Sequence, residues 1–478
     1  MKVALVVPNN RIQLNSDCSP PLGLAYIAGY VKQNLPDIDV QILDGGCAKD
    51  IAKELLLGKF DVVGITATTP QAPDAYALAD LIKHCRPDIT VVLGGPHISV
   101  LPYEALEHAD YVVVGEGETA FTQILKDMPG KGIIQGQPIE DLDSLPMPTY
   151  DLLNIEFYLS RTFIEQVLPP PILGLVTSRG CPYRCRFCYN NNRTARVRYL
   201  SAKRVAKELT FLHNKYCVSN FFFQDDEFLI NRKRLEELAE IFKSEGINRW
   251  IRWGCQARVT SLNKEVLALV ESMGCVLIVP GFESYNPRIL KYLKKDSVKT
   301  TDIDKAVKLF RNTKIMLGGN FIFGSPTETL AEMQQTFQFY LDHPEITFMI
   351  PNCLTPYPGT EVWEDCVKFG LLPEKLDYSL LLPTDEMQNV MNFSTLQQKT
   401  YVSYLKDIRR VRRVVQNIRF GIGFFSMARR KVWWWMWLKH PKIMIKLLKQ
   451  TKNRNPFVNH QNRDRVKTRL GFRKLPVL

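Results

Sequence analysis

The stretch Leu173-Gly-Leu-Val-Thr-Ser-Arg-Gly-Cys181-Pro-Tyr-Arg-Cys185-Arg-Phe-Cys188-Tyr189 runs from an apolar strand straight into a loop with three cysteines in eight residues. A strand that ends on a loop rich in reactive groups is the front half of a βα unit, whose ligands gather at the strand's carboxyl end. Three thiolates in so short a loop can wrap one corner of a cubane iron–sulfur cluster and take one iron each. The fourth iron then has no protein ligand, which is the open position a catalytic metal needs. A structural zinc site would want a fourth Cys or His nearby. None lies between Leu173 and Leu212, and His213 is 25 residues past Cys188.

Downstream the strand–helix rhythm continues. Strands are expected at Asn220–Phe223, Trp250–Gly254, Val276–Pro280, Met316–Phe323 and Thr347–Cys353, spaced by helices such as Lys233–Glu245. With Leu173–Val176 these make six βα units, which suits an open or partial barrel. Upstream, Val3–Val7, Val40–Leu43, Asp61–Thr66, Thr90–Leu93 and Tyr111–Val114 alternate with helical segments including Leu24–Leu35 and Pro73–Cys85. Near-continuous Val/Ile/Leu strands separated by helices imply a parallel sheet covered on both faces. The Pro- and Asp-rich Gln137-Pro-Ile-Glu-Asp-Leu-Asp-Ser-Leu-Pro-Met-Pro148 reads as a linker. The expected fold is α/β. A doubly wound parallel sheet covers residues 1–135, a linker 136–165, a partial (β/α)6 barrel 166–380, and a basic α-helical region 381–478.

A chain of 478 residues is too long for one ordinary core. Its 45% hydrophobic and 23% charged residues are those of a soluble globular protein. Val3–Val7 has strand length and stops at Pro8, so no secretory segment is expected, and no apolar run reaches the roughly 18 residues of a membrane span. The eleven cysteines are odd in number and scattered, which argues against a disulfide framework and for a reducing cytoplasm. The net charge of +13 belongs to the tail: Lys406–Leu478 holds 21 Lys/Arg against two acids, leaving 41 basic and 47 acidic residues before it.

The cysteine pattern, with Phe187 before the last Cys, resembles the signature of the radical S-adenosylmethionine superfamily. The resemblance implies that Cys181, Cys185 and Cys188 bind a [4Fe–4S] cluster, whose open iron chelates S-adenosylmethionine and yields a 5′-deoxyadenosyl radical. Further landmarks follow in order: Phe221-Phe-Phe-Gln-Asp-Asp-Glu-Phe228, Arg258, Gly281-Phe-Glu-Ser284, Phe323-Gly-Ser-Pro-Thr-Glu328 and Leu354-Thr-Pro-Tyr-Pro-Gly-Thr360. By the same resemblance Phe187, Asp225, Asp226, Arg258 and Glu283 are expected at the S-adenosylmethionine. An acid at a strand end is, taken alone, as readily a helix N-cap.

The N-terminal segment resembles the cobalamin-binding, Rossmann-like domain fused to many of these enzymes. Pro20-Pro-Leu-Gly-Leu-Ala25, Gly64-Ile-Thr-Ala-Thr68, Gly94-Gly-Pro-His97 and Gly115-Glu-Gly-Glu118 carry the likeness. Glycines after a strand let backbone approach a flat macrocycle, and hydroxyls there can bond its lower ligand, so Thr66, Thr68, Gly94 and Gly95 are the expected cobalamin contacts. One departure stands out. The loop Pro8-Asn-Asn-Arg-Ile-Gln-Leu-Asn-Ser16 lacks the Asp-x-His-x-x-Gly histidine that mutases use as lower ligand, so ligation from that loop is excluded, and His97 reads as a turn residue. A degenerate module that only packs on the barrel is the plainer alternative.

Paired cofactors of this kind fit a methyltransferase acting on an unactivated centre of a small-molecule or lipid-like substrate. A radical cyclase, ring-rearranging or oxygen-inserting enzyme is the alternative, and a non-catalytic cobalamin-binding sensor a further one. A methylthiotransferase would need a separate cysteine triad, which Cys18, Cys47 and Cys85 do not form. An electron donor such as flavodoxin or ferredoxin is implied. Trp433-Trp-Trp-Met-Trp437 among basic residues suits a lipid–water interface, so the expected location is cytoplasmic, peripheral at the inner membrane face. A helix packing its Trp residues on the barrel is the plainer reading, and nucleic acid is not expected as a partner.

Overall fold

The computed structural model describes residues 1–8, 19–47, 50–162, 164–192, 196–382, 391–420 and 431–445. Most of the histidine-free N-terminal loop and of the basic tail therefore lies outside the described residues.

Six parallel strands form the N-terminal sheet: β1 (Lys2–Val7), β2 (Asp39–Asp44), β3 (Val62–Thr66), β4 (Thr90–Gly94), β5 (Tyr111–Gly115) and β6 (Gly132–Gly136), in the order β2-β1-β3-β4-β5-β6. Strand periodicity sends Ala4 and Val6 into one apolar cluster and Val3, Leu5 and Val7 into the other, so helices cover both faces. The order reverses between β1 and β3, and a doubly wound sheet opens a crevice at such a switch point. Strand β6 falls where the linker was expected to begin. Its sequence, Gly-Ile-Ile-Gln-Gly, is a short edge strand flanked by glycines, which reads locally as a loop.

The second sheet is also parallel and six-stranded, with β7 (Ile172–Leu175) followed by the two-residue β8 (Ser178–Arg179) and β9 (Arg198–Tyr199), which pair only with each other. Then come β10 (Asn220–Phe223), β11 (Arg252–Ala257), β12 (Cys275–Glu283), β13 (Met316–Phe323) and β14 (Ile346–Cys353). The strands from β7 through β10 to β14 lie side by side in chain order, the topology of a partial (β/α)6 barrel.

The region after residue 380 is less separate than its charge suggests. Helix Gln398–Arg419 buries Tyr401, Leu405, Ile408, Val411, Val415 and Ile418 at helical spacing against the barrel core. Two of its arginines are structural: Arg412 donates to the Met349 carbonyl at 2.9 Å and Arg419 to the Tyr340 carbonyl at 3.0 Å. In helix Lys431–Lys439, Met436 is buried while Trp434 and Leu438, four residues apart on one face, are 61% and 82% exposed. Met436 and the partly buried Trp437 thus pack on the barrel core. Among the described residues no helix is long and apolar enough to cross a membrane.

Candidate functional site

The carboxyl ends of the two sheets line one cleft of about 1040 Å³. That is at the top of the roughly 300–1,000 Å³ range of small-molecule and cofactor sites. The N-terminal wall is largely glycine and apolar, with Leu5, Gly64, Thr66, Gly94, Gly95 and Gly117. The opposite wall carries Ser178, Arg179, Gly180, Tyr189, Gln224 and Asp226 from the barrel.

Three of the four residues expected at cobalamin share this wall. Gly95 sits at φ +101°, and a Cβ there would meet Thr66 Oγ1 at 2.6 Å and the Ala67 nitrogen at 2.8 Å. Glycine therefore lets the turn after β4 pack closely against the end of β3, which sets the backbone of this wall. Thr68 is the exception. Strand β3 ends at Thr66, so the alternation does not extend to Thr68, whose hydroxyl donates to Gln71 Oε1 at 2.7 Å and caps a short 3₁₀ turn. His97 is buried, 3.3 Å from Thr69 Oγ1 through Nδ1 and edge-on to Tyr378, and burial pulls its pKa down. It packs as a turn residue.

Cys181, Cys185 and Cys188 lie half-buried in the loop after β8. Arg258, just past β11, donates from Nη1 to Cys185 Sγ at 3.6 Å, and its guanidinium lies 3.8 Å from the Tyr183 ring centroid. Glu283 ends β12 at φ +57° and forms a buried ion pair with Lys294 at 2.8 Å. The Lys294 ammonium is 5.4 Å from the Phe187 ring. Burial lowers the Lys294 pKa, but Glu283 and then Cys185 outweigh that and the net shift is upward. Arg258, Phe187 and Glu283 are thus brought together around the cysteine loop.

The two aspartates part company. Asp226 is exposed on the cleft wall, and its charge reaches Cys181 and Cys188. Asp225 is buried beneath the strand ends, where it accepts from the Thr177 amide at 3.1 Å, the Thr177 hydroxyl at 2.9 Å and the Ser178 hydroxyl. Its place is structural support for the start of the cysteine loop.

Two residues of this centre escaped the sequence reading. Glu227 accepts the Arg258 amide at 2.7 Å while its other oxygen is buried with no hydrogen-bond partner, and burial pushes the carboxyl up to about 7. Lys294 is the second. Nothing local marks either, although Glu227 stands in the quoted acidic run.

The donor chemistry fits the expected groups. Among the described residues no set of three His, Cys, Asp or Glu converges on one metal-ion position. The thiolates of a cubane bind three different irons, so the triad does not need to converge. Burial pushes the Cys188 thiol up to about 11, so its ionisation would come from metal binding itself.

A doubly wound domain and an open barrel that share one cleft, with a cysteine triad in the loop between the cleft residues Gly180 and Tyr189, define an enzyme built to bring two large cofactors together. The chain belongs to the radical S-adenosylmethionine superfamily and carries a B12-binding domain. It matches the B12 binding domain over residues 16–125 and the Radical SAM superfamily over residues 175–340. It is 33% identical to an uncharacterised methyltransferase of Pyrococcus horikoshii, over 84% of this chain and 92% of that one. It is 28% identical to the bacteriochlorophyllide d C-8(2)-methyltransferase of Chlorobaculum tepidum, over 84% and 88%. The fold matches the radical S-adenosylmethionine methyltransferase TsrM from Kitasatospora setae, solved with cobalamin and a [4Fe–4S] cluster, with a TM-score of 0.67 at 18% identity over 94% of this chain and 99% of that one. Its cofactors are therefore a [4Fe–4S] cluster, S-adenosylmethionine and cobalamin.

Proposed function

We propose that the chain transfers a methyl group to an unactivated centre of a small, largely apolar molecule. The observation that carries this reading is the shared cleft, whose glycine wall faces Gly180 and Tyr189, which flank the cysteine triad, across one cavity. When bound, the cluster supplies the electron that cleaves S-adenosylmethionine, and cobalamin supplies a methyl carrier. Thr66, Gly94 and Gly95 hold the flat cofactor by close backbone approach. Cys181, Cys185 and Cys188 hold the cluster, with Arg258 donating to one sulfur and the Glu283–Lys294 pair beside it. Asp226 and Phe187 are placed to orient S-adenosylmethionine, and Asp225 keeps the loop's approach fixed.

A pigment-modifying methyltransferase among the relatives supports an apolar substrate. A cytoplasmic protein that takes its electron from a flavodoxin- or ferredoxin-like donor fits this chemistry. We place its C-terminal helix, with Trp434, Leu438 and the surrounding lysines, at the inner membrane face. Sedimentation with anionic-lipid vesicles checks that point, and Trp434→Ser/Leu438→Ser is expected to reduce binding. A cyclase or rearrangement reading is favoured by relatives such as the anaerobic magnesium-protoporphyrin IX monomethyl ester cyclase of Rubrivivax gelatinosus.

The deciding experiment is anaerobic cluster reconstitution with hydroxocobalamin, followed by reduction with S-adenosylmethionine and candidate substrates. Methyl transfer requires retained cobalamin and substrate-dependent formation of both 5′-deoxyadenosine and S-adenosylhomocysteine. Substrate-dependent deoxyadenosine without S-adenosylhomocysteine would favour the cyclase or rearrangement reading, and neither product would defeat both.

A further inference from the structure

The chain segment that carries the three cysteines is tied to the other domain at its base. It departs from β8 and returns through β9, and in that ribbon Arg179 stands directly opposite Arg198. Both arginines reach across the cleft to the turn after β5. Arg179 donates from Nη1 to Glu116 Oε2 at 3.0 Å and from Nη2 to Glu118 Oε1 at 2.6 Å. Arg198 donates from both terminal nitrogens to Glu116, and from Nη1 to the Ile139 carbonyl at 2.6 Å. Glu116 Oε2 also accepts the Ile139 amide at 2.9 Å. Glu118 and Arg198 are buried and Glu116 and Arg179 half-buried, so the network is partly withdrawn from solvent, where charge-assisted bonds hold geometry better than on a surface.

A ribbon of two residues per strand cannot fix its own geometry. What its side chains are tied to sets where it stands: Ser178 is held by Asp225 of the barrel, and both arginines are held by the N-terminal domain. The far part of the cysteine loop is held by the barrel instead: Arg186 pairs with Asp365 at 2.7 Å, and Arg258 bonds Cys185. We infer that Glu116 and Glu118 are positioning residues for the cysteine loop, setting from the cobalamin-binding domain the place of a cluster that the barrel ligates. The two walls of the cleft are thereby locked in one register, and the loop is correctly formed only when the domains are docked. This rests on the family reading of the cysteines but is tested separately from it.

The test uses the full chain free of metal and cofactor. The alkylation rates of Cys181, Cys185 and Cys188 by iodoacetamide are followed by peptide mass spectrometry, with buried Cys255 as internal control for unfolding. Glu116→Gln/Glu118→Gln is expected to speed alkylation of the triad by about tenfold or more, the scale of one charge-assisted bond, while Cys255 stays protected. Arg198→Lys, which keeps the charge but not the fork, is expected to fall between that variant and the parent. Parent-like rates in folded variants would overturn the proposal. If the double variant exposes Cys255 as well, Arg198→Lys decides in the same way. A second readout uses the reconstituted enzyme: the ratio of 5′-deoxyadenosine to methylated product should rise severalfold in Arg198→Lys, which loss of stability alone would not produce. Faster alkylation in a chain whose parent binds no iron would sink the cluster reading and leave the interdomain tie intact.

Discussion

The N-terminal sheet and the barrel sheet each have six parallel strands, yet they line their common cleft with opposite materials. The N-terminal wall offers mainly backbone, through glycines and the Thr66 hydroxyl, its carboxylates Glu116 and Glu118 being taken up by Arg179 and Arg198. The barrel side brings charge, with Asp226 exposed on the cleft wall and Glu227, Arg258 and the Glu283–Lys294 pair buried behind it. Strand order accounts for part of this. A sheet whose order reverses opens a crevice where backbone ends diverge, and a flat ligand can slide in. Strands laid down in chain order curl so that their ends converge, and converging ends concentrate side chains at one mouth. A backbone wall suits a large cofactor held by shape. A charged wall suits a cluster and a zwitterion held by electrostatics.

The comparison breaks most cleanly at Cys185. Cys185→Ala is expected to abolish stable cluster binding, read as iron and sulfide content, and all 5′-deoxyadenosine formation, while cobalamin retention on gel filtration stays at the parental level. Loss of both cofactors together would show that the walls are not separable. Next in size is the buried ion pair. Lys294→Met leaves the Glu283 carboxylate without its partner and should cost about 3–5 kcal/mol in chemical denaturation. Glu283→Gln/Lys294→Met should recover most of that, because the uncompensated charge is gone.

Glu328 tests the barrel's tolerance of buried charge away from the cysteines. It follows β13, is fully buried, accepts the Gly324 and Ser325 amides at 2.7 and 2.9 Å, and is pushed by burial up to about 7. A carboxyl raised in the native state favours folding while protonated. Its contribution is complete below the ordinary value of 4.5 and is lost as pH rises through about 7. The loss is on the order of 3 kcal/mol. Glu328→Gln should flatten that slope and become the more stable form above pH 7, measured by urea unfolding across the window.

The two walls were not equally legible in sequence. The cysteine triad and five of the six N-terminal strands declare themselves through spacing and apolar runs. The edge strand β6 did not, because five residues bounded by glycine look like a turn until Gly132–Gly136 is seen pairing with β5. Thr66 and Thr68 look equivalent in sequence, and only the end of β3 between them decides which hydroxyl faces the cleft. Lys294 is invisible for a different reason. It is one of many lysines in Lys291-Tyr-Leu-Lys-Lys295, and its pairing with Glu283 comes from a helix folding back over the strand end. The interdomain network is hidden in the same way, since Glu116 and Arg198 are 82 residues apart. The helix after residue 398 was expected, but its docking on the barrel was masked by its own charge, the apolar spacing lying beneath a row of arginines.

The smallest effect falls on the glycine wall, and it asks whether backbone approach is what holds the flat cofactor there. Gly95 lies at φ +101° and ψ 179°, a region that side-chain-bearing residues enter at a cost of about 1–3 kcal/mol. Its absent Cβ also leaves room for the Thr66 hydroxyl and the Ala67 backbone. Gly95→Ala should lower stability by that amount and displace Thr66 from the cleft wall. Cobalamin retention should fall well below parental, with cluster content unchanged. Gly23→Ala serves as the control, since nothing lies within 4 Å of a Cβ there although Gly23 lines the same cleft. If both alanines bind cobalamin equally well, the wall acts through its overall shape rather than through close approach at Gly95. If only Gly95→Ala releases it, the turn after β4 is the surface on which the cofactor rests.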